Sequence, residues 1–281
     1  MAIPYTVFIH PKDRAALERL KAIPVLDEVL RQYMHYIGEQ TLSTYMRASA
    51  LEISPRQLPR VHSALVEVSE ALAIDPPALF LWEFPLSNAY AMGDKKPIIV
   101  LFSSLVESLQ EDELRAVLAH ECGHIACRHM LYRTLAYLLL NGSEKFLPNI
   151  AQLATVPLLM ALYYWVRMSE LSADRAAACA LGSVEPVQRS LLRLSAGPKS
   201  ITDQVDMAVY LEQAADVEDD MNSLWKQYLL FGYRTWSTHP FAAVRVRELE
   251  RWKDTEEFKA ILRGDLTTTG VHTDVRSLFG S

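Results

Sequence analysis

The stretch AVLAHECGHIAC, residues 116–127, carries two histidines, His120 and His124, in an otherwise mostly apolar segment. Three acidic residues at 111–113 precede it, and negative charge is favourable at the start of a helix, so we predict that a long helix begins there. Residues four apart on a helix project from the same face, which allows the two imidazoles to bind one metal ion. Burying such polar rings on an apolar helix without a partner is costly. A metal ion is therefore the simplest interpretation of the spacing.

Glu121 lies between the two histidines and provides a carboxylate that hydrolysis can use. Zinc binds neutral imidazole nitrogens and, in catalytic sites, keeps one coordination position open for water. A carboxylate beside that water can take its proton and pass it to the leaving amine. The segment HECGH thus predicts one Zn²⁺ per chain, bound by His120 and His124, with Glu121 as the general base of a hydrolase.

The third metal ligand must come from outside this segment. One class of zinc peptidases uses a histidine six residues after the second motif histidine, with a glycine midway, but Met130 and Cys127 occupy these positions here. His129 is about 140° around the helix from His124 and is not expected to reach the same ion. Cys127 lies one turn after His124 on the ligand face, and it remains an alternative ligand.

We favour Glu170 as the third ligand, because the segment SELSAD at 169–174 has a helical pattern that places Glu170 and Asp174 on one face. One carboxylate can bind the metal while the other fixes the tautomer of a histidine ligand. Taken alone, the pair could instead form surface ion pairs with Arg167 and Arg175. The two histidines need a carboxylate partner, so we assign Glu170 to the metal and Asp174 to the supporting position.

The whole chain has the composition of a globular protein. It has 281 residues, 50% of them hydrophobic, and a formal net charge of −6. It contains no dense block of Lys or Arg, which argues against a nucleic-acid partner. Its three cysteines are too few for a disulfide framework, and its first residues lack the basic and then apolar pattern of a signal peptide. We therefore expect a cytoplasmic protein.

Patterns outside the motifs predict mostly helices. Apolar residues recur at helical spacing over about residues 11–38, and a second helical run covers about residues 58–72. The segments ALFLWEF, NAYAM and KPIIVLF, within residues 78–102, are separated by turn-forming residues and predict a small sheet of two or three strands. The remainder to about residue 263 is largely helical in pattern. We predict an α+β fold, predominantly helical, with a small β-sheet flanking the HECGH helix.

Four motifs occur in the order that characterises a known family. They are NAYAMG (88–93), EDELRAVLAHECGHIACRH (111–129), SELSADRAA (169–177) and STHPFAAVR (237–245). Over roughly residues 58–247 the chain resembles the gluzin zinc metallopeptidases, which include the bacterial heat-shock protease HtpX and the eukaryotic CAAX prenyl proteases. The resemblance implies a zincin-like metallopeptidase fold and zinc endopeptidase activity on peptides or unfolded proteins, with a role in protein quality control. We divide this one continuous domain into an N-terminal helical region (1–57), a metallopeptidase core (58–263) and a flexible tail (264–281).

The same resemblance implies the metal ligands, the general base and the supporting aspartate already named, and it assigns further residues. His239 of STHPFAAVR matches a position near the metal that stabilises the oxyanion of the reaction, and Arg245 matches an arginine beside the site. A donor aimed at developing negative charge in a dry cleft can contribute about 3 to 4 kcal/mol. Asn88, Ala89 and Tyr90 match an edge strand that binds substrate backbone by strand addition.

The alternative function is a catalytically idle zinc-binding or interaction module that retains the fold. Glu121 argues against it, because a binding module has no need for a base beside the metal. A purely structural zinc protein would close its coordination sphere with a fourth protein ligand, and Cys127 is the one residue that stands out for that role.

Residues 146–166 are 21 consecutive residues without a charge, close to the roughly 20 that cross a bilayer core. Two prolines, an asparagine and a glutamine interrupt the stretch. A single crossing would also put HECGH and Glu170 on opposite sides of the membrane, which a shared zinc forbids. We expect the stretch to cover the catalytic core or line the cleft of a soluble protein, with a peripheral membrane contact through 146–166 as the alternative.

Overall fold

The computed structural model describes residues 2–23, 39–140, 156–221 and 242–266, together with Leu26 and Leu30. The fold is α+β and mostly helical, as predicted, with a four-stranded sheet. In chain order, the helices of these ranges are α1 Pro11–Lys21, α2 Glu39–Ser49, α3 Pro59–Ala71, α4 Ser103–Ser108, α5 Glu111–Ala126, α6 Met130–Leu140, α7 Val156–Leu181, α8 Glu185–Ala196, α9 Lys199–Thr202, α10 Met207–Met221, α11 Ala242–Lys253 and α12 Glu256–Leu262, with a short 3-10 helix at Tyr5–Val7.

The sheet has the strand order β1-β2-β4-β3. Its strands are β1 Leu51–Ile53, β2 Ala78–Trp82, β3 Ala89–Met92 and β4 Ile98–Phe102. The β2 and β4 strands run parallel, while β1 and β3 pair antiparallel with β2 and β4 respectively. The three segments predicted as strands are β2, β3 and β4. The prediction missed β1, because β1 has only three residues and shows too short an apolar alternation to be recognised. Its position comes from pairing with β2, through Leu51 opposite Leu81 and Ile53 opposite Leu79.

The main hydrophobic core lies between the sheet and helices α3, α5 and α7. All five residues of β4 are buried, as expected for a central strand covered on both faces. Leu65 and Val68 of α3 contribute apolar side chains from one side, and Leu118 of α5 contributes from the helix that carries HECGH. The sheet therefore flanks that helix, as the sequence predicted.

Helix α5 packs against α7 more extensively than any other pair of described elements. The closest approach is at Gly123, where an added Cβ would lie 2.6 Å from the Cβ of Ala176 and 3.1 Å from the Cα of Ala173. Such short contacts do not occur between real side chains, so a glycine is required at this position of HECGH. The close approach brings the face of α7 that carries Glu170 towards the two histidines.

The start of α5 is fixed by a capping box. The backbone N–H of Gln110 donates to the carboxylate of Glu113 at 2.9 Å, and the side chain of Gln110 in turn accepts from the helix. Glu113 is fully buried and also accepts from Nε of Arg193 of α8, at 3.1 and 3.2 Å. This contact ties the first turn of α5 to α8 at a point remote from the histidines.

The N-terminal region packs against the helix that carries SELSAD. Leu17 and Leu20 of α1 form a second apolar cluster with Leu162 and Trp165 of α7 and with residues of α6. The predicted helix over 11–38 is seen here as α1, and most of residues 24–38 lie outside the described residues. The division at residue 57 stays a prediction, although β1, which precedes it, belongs to the same sheet as the later strands.

The apolar stretch 146–166 is described only from Val156 onwards, where it forms the first turns of α7. That helix runs without a break into the segment that carries Glu170. Within the described ranges, no helix is both long and apolar enough to cross a membrane. The peripheral membrane contact stays a prediction, and so does the cytoplasmic location.

Candidate metal centre

The structure brings together the side chains of His120, His124 and Glu170. One ligand atom from each lies within 4.8 Å of the other two. Nε2 of His120 is 3.4 Å from Oε2 of Glu170, and Nε2 of His124 is 3.4 Å from Oε1. The histidines come from successive turns of α5 and the glutamate from the facing surface of α7, which is the arrangement that the i, i+4 spacing predicted.

These three residues fit a divalent metal ion. Two imidazole nitrogens and one carboxylate oxygen form a donor set typical of catalytic zinc. Nε2 of His124 is buried, and no hydrogen bond to it comes from the described residues. A buried polar atom without a hydrogen bond is costly unless something else contacts it, and a cation between the histidines and Glu170 would meet that need.

Cys127, the alternative third ligand, does not join this group in the described part of the chain. It follows the last residue of α5 and is fully buried. Burial, reinforced by the nearby charge of Asp13, raises the pKa of its thiol well above the usual value. The thiolate form that a metal needs is therefore disfavoured, and Cys127 behaves as a packed thiol.

Asp174 lies behind His120, where the sequence placed it. Its Oδ1 is 2.9 Å from Nδ1 of His120, so the ring donates from Nδ1 and its Nε2 faces Glu170. Arg245 of α11 holds Asp174 with two hydrogen bonds, Nε to Oδ2 at 2.7 Å and Nη2 to Oδ1 at 2.6 Å. Nη1 of the same arginine is 3.0 Å from Oε2 of Glu170. Arg245 thus fixes both carboxylates of the site.

The ionisation of these buried groups follows from their partners. Burial opposes the charge of Asp174, but Arg245 and His120 hold its pKa below the ordinary value. Burial also opposes a charge on His120, yet its contacts with Asp174 and Glu170 raise its pKa to about 9. The pKa of His124 lies well below the ordinary value, because of burial and the nearby Arg133. A metal must therefore displace a proton from His120, whereas His124 is already neutral.

Glu121 is 1% exposed and lines a small cavity next to His120. Helix α8 contributes a mostly apolar wall to this cavity, formed by Val187, Leu191 and Leu194 together with Ser190. Glu121 is not one of the three converging ligand residues. Glu121 thus lines the same cavity as the ligand residue His120 and is shielded from bulk water, which suits a general base.

The predicted substrate-binding strand runs past the same cavity. Ala89 of β3 lines it and pairs with Leu101 of β4. The carbonyl of Asn88, just before the strand, accepts from the backbone N–H of Phe102 at 3.0 Å. Tyr90 points to the other face, with its ring 5.8 Å from that of Phe102. Among the described strands β3 pairs with β4 alone, so it lies at one edge of the described sheet. Its binding of substrate stays a prediction.

The predictions for His239 and His129 had different outcomes. His239 lies outside the described residues, so its role stays a prediction. His129 is not in the ligand group, as expected, but its Nδ1 is 2.9 Å from Nδ1 of His124. Sequence reasoning missed this contact, and Arg133, whose Nη1 contacts Oε1 of Glu170, was missed as well.

Comparison with known proteins gives consistent results. Residues 55–253 match the model of Peptidase family M48. A relative named plastoglobule-localized metallopeptidase 48, chloroplastic, from Arabidopsis thaliana is 34% identical over 258 residues, which cover 91% of this chain and 75% of that protein. Protease HtpX homologs from Helicobacter acinonychis and Moorella thermoacetica are 27% and 29% identical, over 68% and 62% of this chain and 66% of each homolog. The chain thus spans about two thirds of the length of these two relatives. No solved structure gives a significant match.

Proposed function

Because this chain belongs to peptidase family M48, as its four motifs predicted, we propose that it is a zinc endopeptidase that cleaves peptides and unfolded proteins. The family makes it a metallopeptidase, a hydrolase that depends on a divalent metal. Zinc as that metal, one ion per chain and cleavage at internal bonds are the proposed refinements. The observation that supports the metal and its chemistry is the convergence of His120, His124 and Glu170, with the buried Glu121 lining the cavity next to His120.

Each residue of the site has a separate role in peptide hydrolysis. The chemistry that zinc supplies when bound is Lewis acidity, which polarises a carbonyl group and acidifies a water molecule. Glu121 takes a proton from the attacking water while the oxygen of that water forms a bond to the carbonyl carbon. The same carboxyl group then gives that proton to the amine nitrogen as the C–N bond breaks. Asp174 and Arg245 keep His120 in the tautomer that presents Nε2 to the metal.

The edge strand β3 supports binding of an extended substrate. A peptide that pairs with β3 would lie along the cavity that Ala89 and Glu121 both line. Such pairing uses the substrate's main chain, which every extended peptide offers, so it favours broad specificity and internal cleavage. A role in protein quality control agrees with such breadth and rests on analogy with the family.

The proposed function can be tested by metal analysis and product mapping. The purified full chain is expected to contain one zinc, to cleave a denatured protein at internal bonds, and to lose both properties after chelation. Products that differ only by terminal residues would replace the endopeptidase with an exopeptidase. Bound zinc without any cleavage would favour the idle binding module.

We expect His239→Phe to retain zinc and to lower kcat by about 100-fold or more, the usual cost of a lost oxyanion donor. The ring of Phe keeps most of the volume of His but offers no N–H to the oxyanion. Steady-state kinetics and metal content check this result. His62→Phe is the matched control, because His62 lies on α3, away from the cavity, and should change neither quantity. An unchanged kcat in His239→Phe would remove this residue from the site.

The apolar wall of the cavity predicts a preference for an apolar substrate side chain beside the cleaved bond. Leu194 is half-buried at the end of α8 and lines this wall. Leu194→Ala enlarges the cavity, and we expect it to shift relative kcat/KM towards bulkier side chains by about 10-fold, the lower end of what pocket contacts contribute. Cleavage-site profiling on a peptide library measures the shift.

Leu211→Ala serves as the control for this change. Leu211 is also partly buried against the core but does not line the cavity. It is expected to leave the cleavage profile as it is. A profile that is the same in Leu194→Ala and in the unchanged protein would mean that the substrate side chain binds elsewhere.

A further inference from the structure

His124 is connected to helix α1 through His129. Nδ1 of His124 is 2.9 Å from Nδ1 of His129, and Nε2 of His129 is 2.9 Å from Oδ2 of Asp13. All three side chains are buried from solvent. We propose that Asp13 and His129 are positioning residues that hold His124 for metal binding, so that α1 is part of the metal site. The inference rests on the proposed function, because it takes His124 as a metal ligand.

The turn that ends α5 is what brings His129 to His124. The backbone N–H of His129 donates to the carbonyl of His124 at 3.0 Å, and that of Arg128 donates to the carbonyl of Ile125 at 3.0 Å. These two bonds are the pattern of a Schellman motif. Arg128 takes the left-handed conformation that this motif requires, with a φ of 56°. The chain therefore folds back, and His129 lies beside a residue from the preceding turn.

The chain of contacts is consistent with a single set of tautomers. A metal bound to Nε2 of His124 requires the proton of that ring to be on Nδ1, which then donates to Nδ1 of His129. With its Nδ1 acting as acceptor, His129 carries its own proton on Nε2, which lies 2.9 Å from Oδ2 of Asp13. In a neutral imidazole one nitrogen donates and the other accepts, so fixing the role of one nitrogen also fixes the role of the other. The orientation of His124 is set by Asp13 through His129.

Asp13 is itself held rigidly by the helix that carries Glu170. Trp165 of α7 donates from Nε1 to Oδ1 of Asp13 at 2.9 Å, and Ser172 of the same helix donates to Oδ2 at 2.6 Å. The backbone N–H of His10 donates to Oγ of Ser172 at 2.9 Å and adds a second link between the N-terminal segment and α7. The carboxylate that positions His124 is therefore fixed relative to the third ligand.

The two histidine ligands have comparable support. Asp174 contacts Nδ1 of His120 directly, while Asp13 reaches Nδ1 of His124 through the intervening ring of His129. Outer carboxylates of this kind raise the basicity of a ligand histidine and fix its orientation. Asp13 precedes the range 55–253 that matches the family, so the N-terminal segment supplies a part of the site that the family motifs do not contain.

The test is the zinc affinity of the full chain, measured by competition with a chelator. His129→Leu removes the acceptor for Nδ1 of His124, and we expect it to weaken zinc binding by about 10- to 100-fold, the usual effect of losing an outer partner. His129→Gln can still accept at one end and donate at the other, so it should recover most of the affinity. His129→Asn is shorter by one methylene and should not, which keeps the test valid if His129→Leu fails to fold.

A double-variant comparison tests whether Asp13 acts through His129. Asp13→Asn alone is expected to weaken zinc binding, because a neutral amide is a poorer acceptor for the ring N–H. In the combined variant, His129→Leu with Asp13→Asn, the loss should be no larger than in His129→Leu alone, since the path from Asp13 to the metal is already broken. Additive losses would overturn the proposed chain.

A purely structural role is separated by unfolding the metal-free protein. Glu113→Gln removes another buried, ion-paired carboxylate that lies away from the ligands, and it should lower the unfolding temperature without changing the zinc affinity. If the variants at Asp13 and His129 behave like Glu113→Gln, the positioning role is wrong. If His124→Ala itself binds zinc normally, the ligand assignment under the proposed function fails, which is a different result.

Discussion

The Glu121→Gln variant is expected to keep its zinc and to lose peptidase activity by about 10²- to 10⁴-fold, the usual contribution of general acid–base catalysis. Gln has nearly the shape of Glu, but its neutral amide cannot take the proton of the attacking water. Glu121 lines the cavity beside His120 and is not among the three converging ligand residues. The metal therefore keeps its donors. The kcat on a denatured protein and the zinc content per chain measure the two effects.

The matched control for this prediction is Glu111→Gln. Glu111 lies on the same helix and undergoes the same change of charge, but its side chain is 72% exposed and, among the described residues, pairs with Arg115 at the surface. Both activity and zinc content should be unchanged. Normal turnover in Glu121→Gln would reject the role as base. Loss of zinc together with activity would show that Glu121 stabilises the metal site and would leave proton transfer to another group.

The part of the site that helical spacing determines could be predicted from sequence. His120 and His124 are one turn apart on α5, and Glu170 and Asp174 are one turn apart on α7, so each pair shares a face whatever the rest of the fold does. Gly123 explains why the two faces meet, since a larger residue would collide with α7. The physical requirement for close helix packing is visible in the motif only once the partner helix is known.

The contacts of His129 could not be predicted, because the prediction used the geometry of a continuous helix, and His129 lies beyond the end of α5. A position about 140° around the helix assumes that the helix continues. Helix α5 ends at Ala126 instead, and the left-handed Arg128 reverses the chain. An arginine gives no signal for that conformation, which is usually taken by glycine. The contact between His129 and Asp13 also joins distant parts of the chain, which no local pattern reveals.

The short elements were equally hard to predict, for a related reason. Three residues of β1 cannot show the alternation that identifies a strand, and its neighbour β2 fixes its place through backbone pairing. Helix α1 was recognised as amphipathic, but its partner was not, since many apolar faces could cover it. Burial of Asp13 within that interface is a tertiary feature and leaves no trace in the periodicity.

The Glu170→Ala variant is expected to lose zinc affinity by more than the roughly 10- to 100-fold that an outer partner contributes, because it removes a ligand atom directly. The change also alters the charge of the site. Arg245 and Arg133 both contact the carboxylate of Glu170, so its removal leaves two guanidinium groups next to the metal position with one anion fewer. A divalent cation would then be repelled as well as undercoordinated. Chelator competition and metal analysis measure the loss, and the increase in unfolding temperature that added zinc gives should disappear with it.

Cys127→Ser separates this interpretation from the rival third ligand. The thiol of Cys127 is buried, and its raised pKa keeps it neutral, so a hydroxyl of similar size should leave zinc content and activity nearly intact. His120→Ala is the positive control, since it removes a ligand of the other type and should match Glu170→Ala in its loss of metal. Normal zinc in Glu170→Ala together with lost zinc in Cys127→Ser would assign the third position to the cysteine. Glu170 also holds Arg245 in its contact with Asp174. Loss of Glu170 should therefore weaken the hydrogen bonding that orients His120. The loss of zinc affinity on combining Glu170→Ala with Asp174→Asn should then be less than additive.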